Sequence, residues 1–256
     1  MNQLWNSFKI AFSMYSKIPM PYSDWKKENM QYSMCFFPLI GIVIGGLVWL
    51  WSKALLWLPL DGQLGTIIYL LLPLFITGGI HFDGFLDTQD ALNSHQSKEK
   101  KLEILKDPHT GAFAIISGIA YYLLAFGIWS EVGAKSVQIL AVGFVLSRSL
   151  SGLSVVSFRL AKNSGLAATF SESAQKKKVK ITMCAYILIC AVVMVVLQIW
   201  LAVAAILCAV AIFLYYRHVC YKEFGGMSGD LAGYFLQLCE LGMAIAVILV
   251  ERLAGI

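Results

Sequence analysis

The sequence has little charge for its length. Of its 256 residues only 14% are charged, whereas 59% are hydrophobic, and the mean hydropathy is +0.72. A soluble domain usually carries about 25% charged residues, so this composition excludes an ordinary soluble protein. Charge near lipid is costly, and the few polar clusters are therefore candidates for function.

Metal-binding cysteine motifs are also absent. The six cysteines have neither CxxC spacing nor Cys/His ligand spacing, and most lie within apolar runs. They are expected to be small buried hydrophobic residues rather than disulfides or a zinc site. Residues 1–30 lack the pattern of a signal peptide. The net charge of +5 comes largely from loops and requires no nucleic-acid partner, because lipid headgroups or an anionic substrate are sufficient.

Long apolar runs dominate the chain and predict an all-α, polytopic membrane helix bundle that forms a single domain over residues 1–256. At 181–216 only Gln198 interrupts the apolar run, so this part is either a tight hairpin or one long kinked helix. Helical spacing of apolar residues from Leu4 to Tyr15 predicts an additional N-terminal helix in the membrane interface. The seven expected spans are 34–58, 64–80, 112–130, 136–157, 181–198, 199–216 and 231–250.

Basic residues fall unequally on the two sides that seven spans would create. Residues 1–33, 81–111, 158–180 and 217–230 would share one side and contain sixteen Lys and Arg residues, against three on the other side. The positive-inside rule places the richer side in the cytoplasm. We therefore expect a multi-pass protein of a bacterial or archaeal cytoplasmic (inner) membrane, with its N-terminus and its polar clusters on the cytoplasmic side.

Three aspartates follow the second apolar run in the stretch "GGIHFDGFLDTQDAL" (78–92). If the helix continues, Asp83, Asp87 and Asp90 stand at i, i+4 and i+7, within an arc of about 60° and along about 10 Å of axis. Carboxylates so placed repel one another unless a cation lies among them. The spacing therefore predicts a hard divalent ion, Mg²⁺ or Mn²⁺, which can also bridge to substrate phosphates.

The alternative interpretation of these aspartates is that they are ordinary solvated loop charges. His81, just before them, is a candidate base or a hydrogen-bond partner, although a single histidine is often structural. Two further charges, Arg148 and Glu240, lie within apolar runs, so both should face the bundle interior. They pair with each other, or Arg148 reaches a substrate phosphate. The GxxxG spacing at 41–45 permits close helix packing, within one chain or between chains.

The remaining polar residues lie on the same predicted side, in the stretches "LKDPHTGAF" (105–113), "RLAKNSGLAATF" (159–170) and "EFGGMSGDLAGYFLQLCE" (223–240). Glycines before a helix bring backbone N–H groups near an anion, although they are as often turn residues. Together with the aspartates, these stretches predict a membrane enzyme that uses a bound metal to transfer a phosphoryl group from a diphosphate. The candidate substrate-binding residues are Lys106, Asp107, Gly111, Arg159, Lys162, Gly226, Gly229 and Asp230.

Residues 78–92 resemble the signature of the cobalamin synthases, the adenosylcobinamide-GDP ribazoletransferases, whose usual form is GG-x-H-x-DG-x-x-DT-x-DG. The resemblance covers essentially the whole chain, because "YSKIPMP", "FFPLIGIVIG", "LEILKDPHTGAF" and "FGGMSGD" follow in the family's order. Ala91 stands where the family usually has Gly, and Ala114 follows "GAF" where Gly is frequent.

The resemblance implies transfer of adenosylcobinamide phosphate from adenosylcobinamide-GDP to α-ribazole, or to its 5′-phosphate, with release of GMP and with Mg²⁺ as cofactor. This step completes the nucleotide loop in cobalamin (vitamin B12) biosynthesis. Further expected partners are membrane lipid, other enzymes of the corrinoid pathway and a second copy of this chain.

On this resemblance we assign Asp83, Asp87 and Asp90 as metal ligands. One of them, or His81, is expected to accept the proton of the ribazole hydroxyl. Asp230 completes the metal site, orients the acceptor ribose or only caps its helix. Phosphate binding is assigned to three basic residues, namely Lys106, Arg159 and Lys162.

Two other enzyme families and one class of transporter are the alternatives. A CDP-alcohol phosphatidyltransferase normally has DG-x-x-AR, and no AR follows Asp83 and Gly84. A prenyltransferase has two aspartate-rich motifs, and a second one is missing. A secondary transporter would place such carboxylates near the bilayer midplane, in paired repeats, rather than at its cytoplasmic edge.

Overall fold

The computed structural model describes residues 2–60, 62–162 and 165–255, and most of the described chain is helical. The predicted all-α class is therefore confirmed. Its helices are α1 (Asn2–Tyr15), α2 (Lys27–Met30), α3 (Ser33–Ala54), α4 (Gly62–Thr77), α5 (Ile80–Asn93), α6 (Lys98–Ile104), α7 (Ala112–Trp129), α8 (Ser136–Ser157), α9 (Leu166–Ser173), α10 (Lys176–Leu197), α11 (Ile199–Glu223) and α12 (Gly229–Ala254).

Six of the described helices, α3, α7, α8, α10, α11 and α12, are long and apolar enough to cross a membrane. The shorter α4 has 16 residues and is followed by α5 at a bend of 95°. Counting this broken pair as one span gives the seven that the sequence predicts. The structure does, however, correct the expected continuous helix, because α4 ends before the aspartates and α5 begins anew at Ile80.

The bend between α4 and α5 is made by two consecutive glycines. Gly78 and Gly79 have φ angles of +64° and +80°, a conformation that side chains with a Cβ disfavour. A Cβ at Gly78 would also collide with the side chain of Lys17, which lies directly against it. The backbone N–H of Lys17 donates to the carbonyl of Ile76 at 2.7 Å, so the chain after α1 is fixed to the end of α4. As a result α5 leaves the axis of α4 and packs against α7 and α12.

The run at 181–216 is a hairpin rather than one kinked helix. Gln198 adopts an extended conformation, with φ −164° and ψ 107°, between α10 and α11. The start of α10 and the end of α11 return to the same end of the bundle. There Gln175 donates to the carbonyl of Gln31 at 3.0 Å, and Glu223 forms an ion pair with Lys101 at 2.5 Å.

The centre of the bundle is α8, which packs against α3, α10, α11 and α12. Gly41 and Gly45 of α3 lie so close to α8 that a Cβ at either position would collide with the backbone of Phe144 or Ala141. The predicted GxxxG contact is therefore confirmed, and it is made within one chain. The predicted N-terminal helix is also present as α1, partly buried against α3; its location in the membrane interface stays a prediction.

Candidate active site

A cavity of about 460 Å³ lies where α5 meets the start of α12. It is lined from α5 by His81 and Asp83, from the loop after α6 by Lys106, from the loop after α8 by Lys162, and from α12 by Asp230. Two of the predicted glycine-bearing turns also reach it, through Gly165 and Gly229. The fold thus brings together residues from four separate stretches of sequence. Their assigned roles are not tested by this proximity and stay predictions.

Two glycines allow the helices that carry the carboxylates to approach each other. A Cβ at Gly84 would lie 2.8 Å from the Cα of Asp230, and one at Gly233 would lie 2.7 Å from the backbone oxygen of His81. Real Cβ contacts are not this short, so larger residues would force α5 and α12 apart. The close contact places Asp230 beside the Asp83 carboxylate.

The carboxylates of α5 and α12 form a cluster of negative charge. Burial, followed by the charges of Asp83, Asp230 and Asp90, raises the pKa of Asp87 to about 6. Among the described residues none of these four carboxylates forms an ion pair with a Lys or Arg side chain. A cluster of uncompensated carboxylates fits a hard divalent cation.

The described residues contain no group of three His, Cys, Asp or Glu side chains placed to hold a metal ion by themselves. Mg²⁺ does not require such a cage, because it usually keeps several waters and binds one or two carboxylates together with substrate phosphates. The residues present therefore fit Mg²⁺ as an ion that would be shared with a substrate. Magnesium binding stays a prediction.

Asp90 has a different environment from the other two aspartates of α5. One of its carboxylate oxygens accepts a hydrogen bond from the backbone N–H of Gly111 at 2.5 Å, and the other accepts from that of Ala114 at 3.0 Å. A Cβ at Gly111 would collide with this carboxylate, which explains the glycine. Asp90 and Gly111 thus fix the start of α7 to α5, a structural contact that the sequence analysis did not anticipate.

Lys162 and Lys106 place two ammonium groups at the cavity. Lys162 Nζ donates to the backbone oxygen of Leu102 at 3.3 Å. Desolvation and the neighbouring Lys106 lower the pKa of Lys162. Two like charges held close together in this way are suited to bind an anion such as a diphosphate.

Besides Gly111, three other predicted binding residues lie outside the cavity lining. The Arg159 guanidinium donates to the backbone oxygen of Gly225 at 2.9 and 3.2 Å, and Asp107 accepts from the backbone N–H of His109 at 2.9 Å. Gly226 packs against the backbone of residues 160–161. Arg159 and Gly226 therefore join the loop after α8 to the loop before α12. The predicted turn from 159 to 165 includes residues 163 and 164, which lie outside the described residues.

His81 is buried and lies at the cavity wall, 5% exposed. Burial, and then the charge of Arg148, lower its pKa to about 3, so the imidazole is neutral at physiological pH. Its ring lies 5.7 Å from that of Phe37 and 6.0 Å from that of Tyr15. Of the two predicted roles, this environment favours a hydrogen-bond partner over a general base.

The two intramembrane charges pair with each other, as one of the two alternatives predicts. Arg148 Nη1 lies 2.7 Å from Glu240 Oε1, and the side chains are 1% and 10% exposed. The same Glu240 oxygen accepts from Ser147 Oγ at 2.9 Å, while Arg148 also donates to the backbone oxygen of Phe144 at 2.9 Å. This pair is therefore part of the bundle core.

The sequence analysis missed one wall of the cavity. Met14 and Tyr15 of α1 and Met34 and Phe37 of α3 line it, and the side chains of Met34 and Phe37 are almost fully buried. In the sequence these residues look like ordinary apolar residues of membrane helices. The only signal was the position of Tyr15 at the end of α1, directly before the "SKIP" turn.

A partly apolar cavity with clustered carboxylates and ammonium groups, at one end of a membrane helix bundle, defines an integral-membrane enzyme that acts on anionic substrates. Residues 7–248 match the family model of cobalamin-5-phosphate synthase, and the chain belongs to this family.

Curated relatives are similar over almost their full lengths, and all three described here are named adenosylcobinamide-GDP ribazoletransferase. The protein from Lachnoclostridium phytofermentans is 50% identical over 96% of this chain and 94% of its own length. The protein from Clostridium botulinum strain Alaska E43 is 34% identical over 94% and 96%. The protein from Treponema denticola is 32% identical over 92% and 95%. No solved structure matches the chain.

Proposed function

We propose that this protein joins adenosylcobinamide-GDP to α-ribazole, or to its 5′-phosphate, and releases GMP. Membership of the family supports the reaction. The observation that carries the proposal is the cavity in which Asp83 and Asp230 face the same space as Lys106 and Lys162. Such a site can bind a diphosphate and place an alcohol beside it.

The reaction exchanges one phosphorus–oxygen bond for another. A ribose hydroxyl oxygen that is free in both acceptors attacks the phosphorus that carries the corrinoid, and the bond from this phosphorus to the bridging oxygen breaks, so that GMP leaves. Lys106 and Lys162 would bind the diphosphate oxygens and stabilise the charge on the leaving phosphate. Asp83, which lines the cavity, would accept the proton of the attacking hydroxyl.

Mg²⁺ is the proposed cofactor, held by Asp83, Asp87 and Asp230, and when bound it would neutralise charge on the diphosphate. The pKa of Asp87, raised by burial and then by the neighbouring carboxylates, supports this assignment. Asp90 was predicted as a third ligand from α5, but its two backbone hydrogen bonds support a structural role instead.

We also propose that the protein lies in the cytoplasmic membrane of a bacterium or archaeon, with its N-terminus and cavity facing the cytoplasm. The distribution of basic residues supports this orientation, since the loops near the cavity are those rich in lysine. The apolar residues exposed on α7, α10 and α11 would contact lipid. Association with other corrinoid-pathway enzymes or with a second copy stays a prediction.

The test is GMP release from adenosylcobinamide-GDP by detergent-purified protein, with and without α-ribazole, in Mg²⁺ and in EDTA. We expect release only when ribazole and Mg²⁺ are both present. Asp83→Asn should lower the rate at least a hundredfold. The matched control is Asp24→Asn, because Asp24 is a surface residue paired with Lys26 at 3.1 Å and lies outside the cavity lining.

Absence of GMP release from folded wild-type protein, together with turnover of a CDP-linked lipid, would replace this proposal with the phosphatidyltransferase alternative. Normal turnover by a folded Asp83→Asn variant would remove Asp83 from the mechanism. Release in EDTA at the full rate would exclude the metal assignment.

A further inference from the structure

One wall of the cavity is aromatic and sulfur-rich. Tyr15 and Phe37 lie with ring centroids 4.6 Å apart, and the Tyr15 hydroxyl is 3.8 Å from the sulfur of Met34. Met14 continues the same wall from α1. These four residues are called the base wall below, and they come from two helices that pack directly on each other.

The base wall is held rigidly. Met34 and Phe37 are each only 2% exposed, and the Tyr15 ring packs 5.6 Å from that of Phe170 as well as against His81. The Tyr15 hydroxyl, with a sulfur as its hydrogen-bond partner, is the only strong polar group that these four side chains carry. This wall therefore suits an apolar, aromatic ligand group.

The two substrates differ in the polarity of their bases. Guanine carries hydrogen-bond donors and acceptors around its edge, and an apolar wall would leave them unpaired. The base of α-ribazole is a benzimidazole with two ring methyl groups, which is flat and almost wholly apolar, and methionine sulfur packs well against aromatic rings. A corrinoid is far too large for a cavity of about 460 Å³.

We propose that the base wall, formed by Met14, Tyr15, Met34 and Phe37, binds the benzimidazole base of the acceptor and selects for its methyl groups. This inference rests on the proposed function. Binding of the base against this wall would orient the acceptor, because Asp83 lines the same cavity and would face the ribose and its attacking hydroxyl. The corrinoid part of the donor then stays outside the cavity.

The test compares α-ribazole with the riboside of unsubstituted benzimidazole, using GMP release by the full-length protein. A hydrophobic pocket gains about 10-fold to 200-fold in kcat/KM for each methylene-sized group that it contacts. We therefore expect at least a tenfold preference for α-ribazole in the wild type. Met34→Ala and Phe37→Leu should each reduce this preference to about threefold or less, because they remove part of the wall.

The preference is a ratio of two kcat/KM values, so it does not depend on how much of a variant is folded. Met194→Ala is the matched control, because Met194 is fully buried in α10 and lies outside the cavity lining. It should keep the wild-type preference.

Three results would overturn the base wall while leaving the proposed function intact. They are a wild type that turns over both acceptors equally, variants that keep the full preference, and variants that raise the KM for adenosylcobinamide-GDP but not for α-ribazole. The last result would place guanine against the wall. Failure of the wild type to release GMP with either acceptor would instead contradict the proposed function.

Discussion

Replacing Glu240 by Gln should destabilise the protein far more than the same change at the surface. Glu240 and Arg148 form an ion pair at 2.7 Å with almost no exposure to solvent. Gln keeps the shape of the side chain and an oxygen that accepts the hydrogen bond from Ser147 Oγ, but it removes the negative charge. The Arg148 guanidinium would then be buried without a counterion.

Removing one partner of a buried ion pair costs about 3–5 kcal/mol, because the remaining charge is uncompensated. At roughly 2–4 °C per kcal/mol for a chain of this size, Glu240→Gln should lower the melting temperature by roughly 6–20 °C. The matched control is Glu131→Gln, which breaks the ion pair of Glu131 with Arg252. Those side chains are 49% and 66% exposed, so the cost should be about 1 kcal/mol or less.

The structure itself provides the assay. Thermal unfolding in detergent can be followed with a dye that becomes fluorescent on reaction with thiols, because three cysteines are buried and become accessible only on unfolding. The exposed Cys184 should contribute signal before unfolding rather than on unfolding. The three buried cysteines are Cys190, Cys220 and Cys239.

The double variant Arg148→Met with Glu240→Gln separates charge from packing. It removes both charges, so it should be more stable than the sum of the two single changes predicts. Equal melting temperatures for Glu240→Gln and Glu131→Gln, or strict additivity in the double variant, would refute the reasoning that a buried charge pair stabilises the core.

Three further predictions concern packing, charge and the start of α7. Gly41→Ala should cost about 1–3 kcal/mol of unfolding free energy, because its Cβ collides with the backbone of α8; Gly46→Ala, which meets open space, should melt like the wild type. Because the pKa of Asp87 is raised from 3.8 to about 6, its charged form is disfavoured in the folded protein, and stability should fall as pH rises through this range. In EDTA, Asp87→Asn should therefore melt above the wild type at pH 7 but not at pH 3.5, and a lower melting temperature at pH 7 would contradict this. Asp90→Asn can no longer accept two N–H groups, so amide hydrogen exchange at Gly111 should accelerate roughly tenfold, and unchanged exchange would contradict the anchoring role.

Much of the fold could be predicted because lipid imposes long apolar helices and penalises charge between them. The break at Gln198, the contact of Gly41 with α8 and the spacing of the α5 aspartates are local patterns, and they persist in the structure. The sequence could equally accommodate a hairpin or a kink at Gln198, and only the contacts at the far ends of the two helices decide between them.

Other features could not be predicted, since they depend on contacts between distant parts of the chain. Arg159 donates to a carbonyl 66 residues away, and nothing near it in sequence distinguishes this role from phosphate binding. Asp90 has the same helical spacing as Asp83 but faces the start of α7. Met34 and Phe37 have the composition of any membrane helix, so their position at a cavity became visible only in three dimensions.

The bend at Gly78 and Gly79 separates two requirements that a straight helix would combine. The length of α4 must suit the thickness of the lipid bilayer, whereas the position of α5 must suit the substrate. Because α5 is held by α12 and not by the axis of α4, residues can be exchanged within α4 as membranes vary without moving the carboxylates. The protein can thus adapt to a different lipid environment and keep the same chemistry.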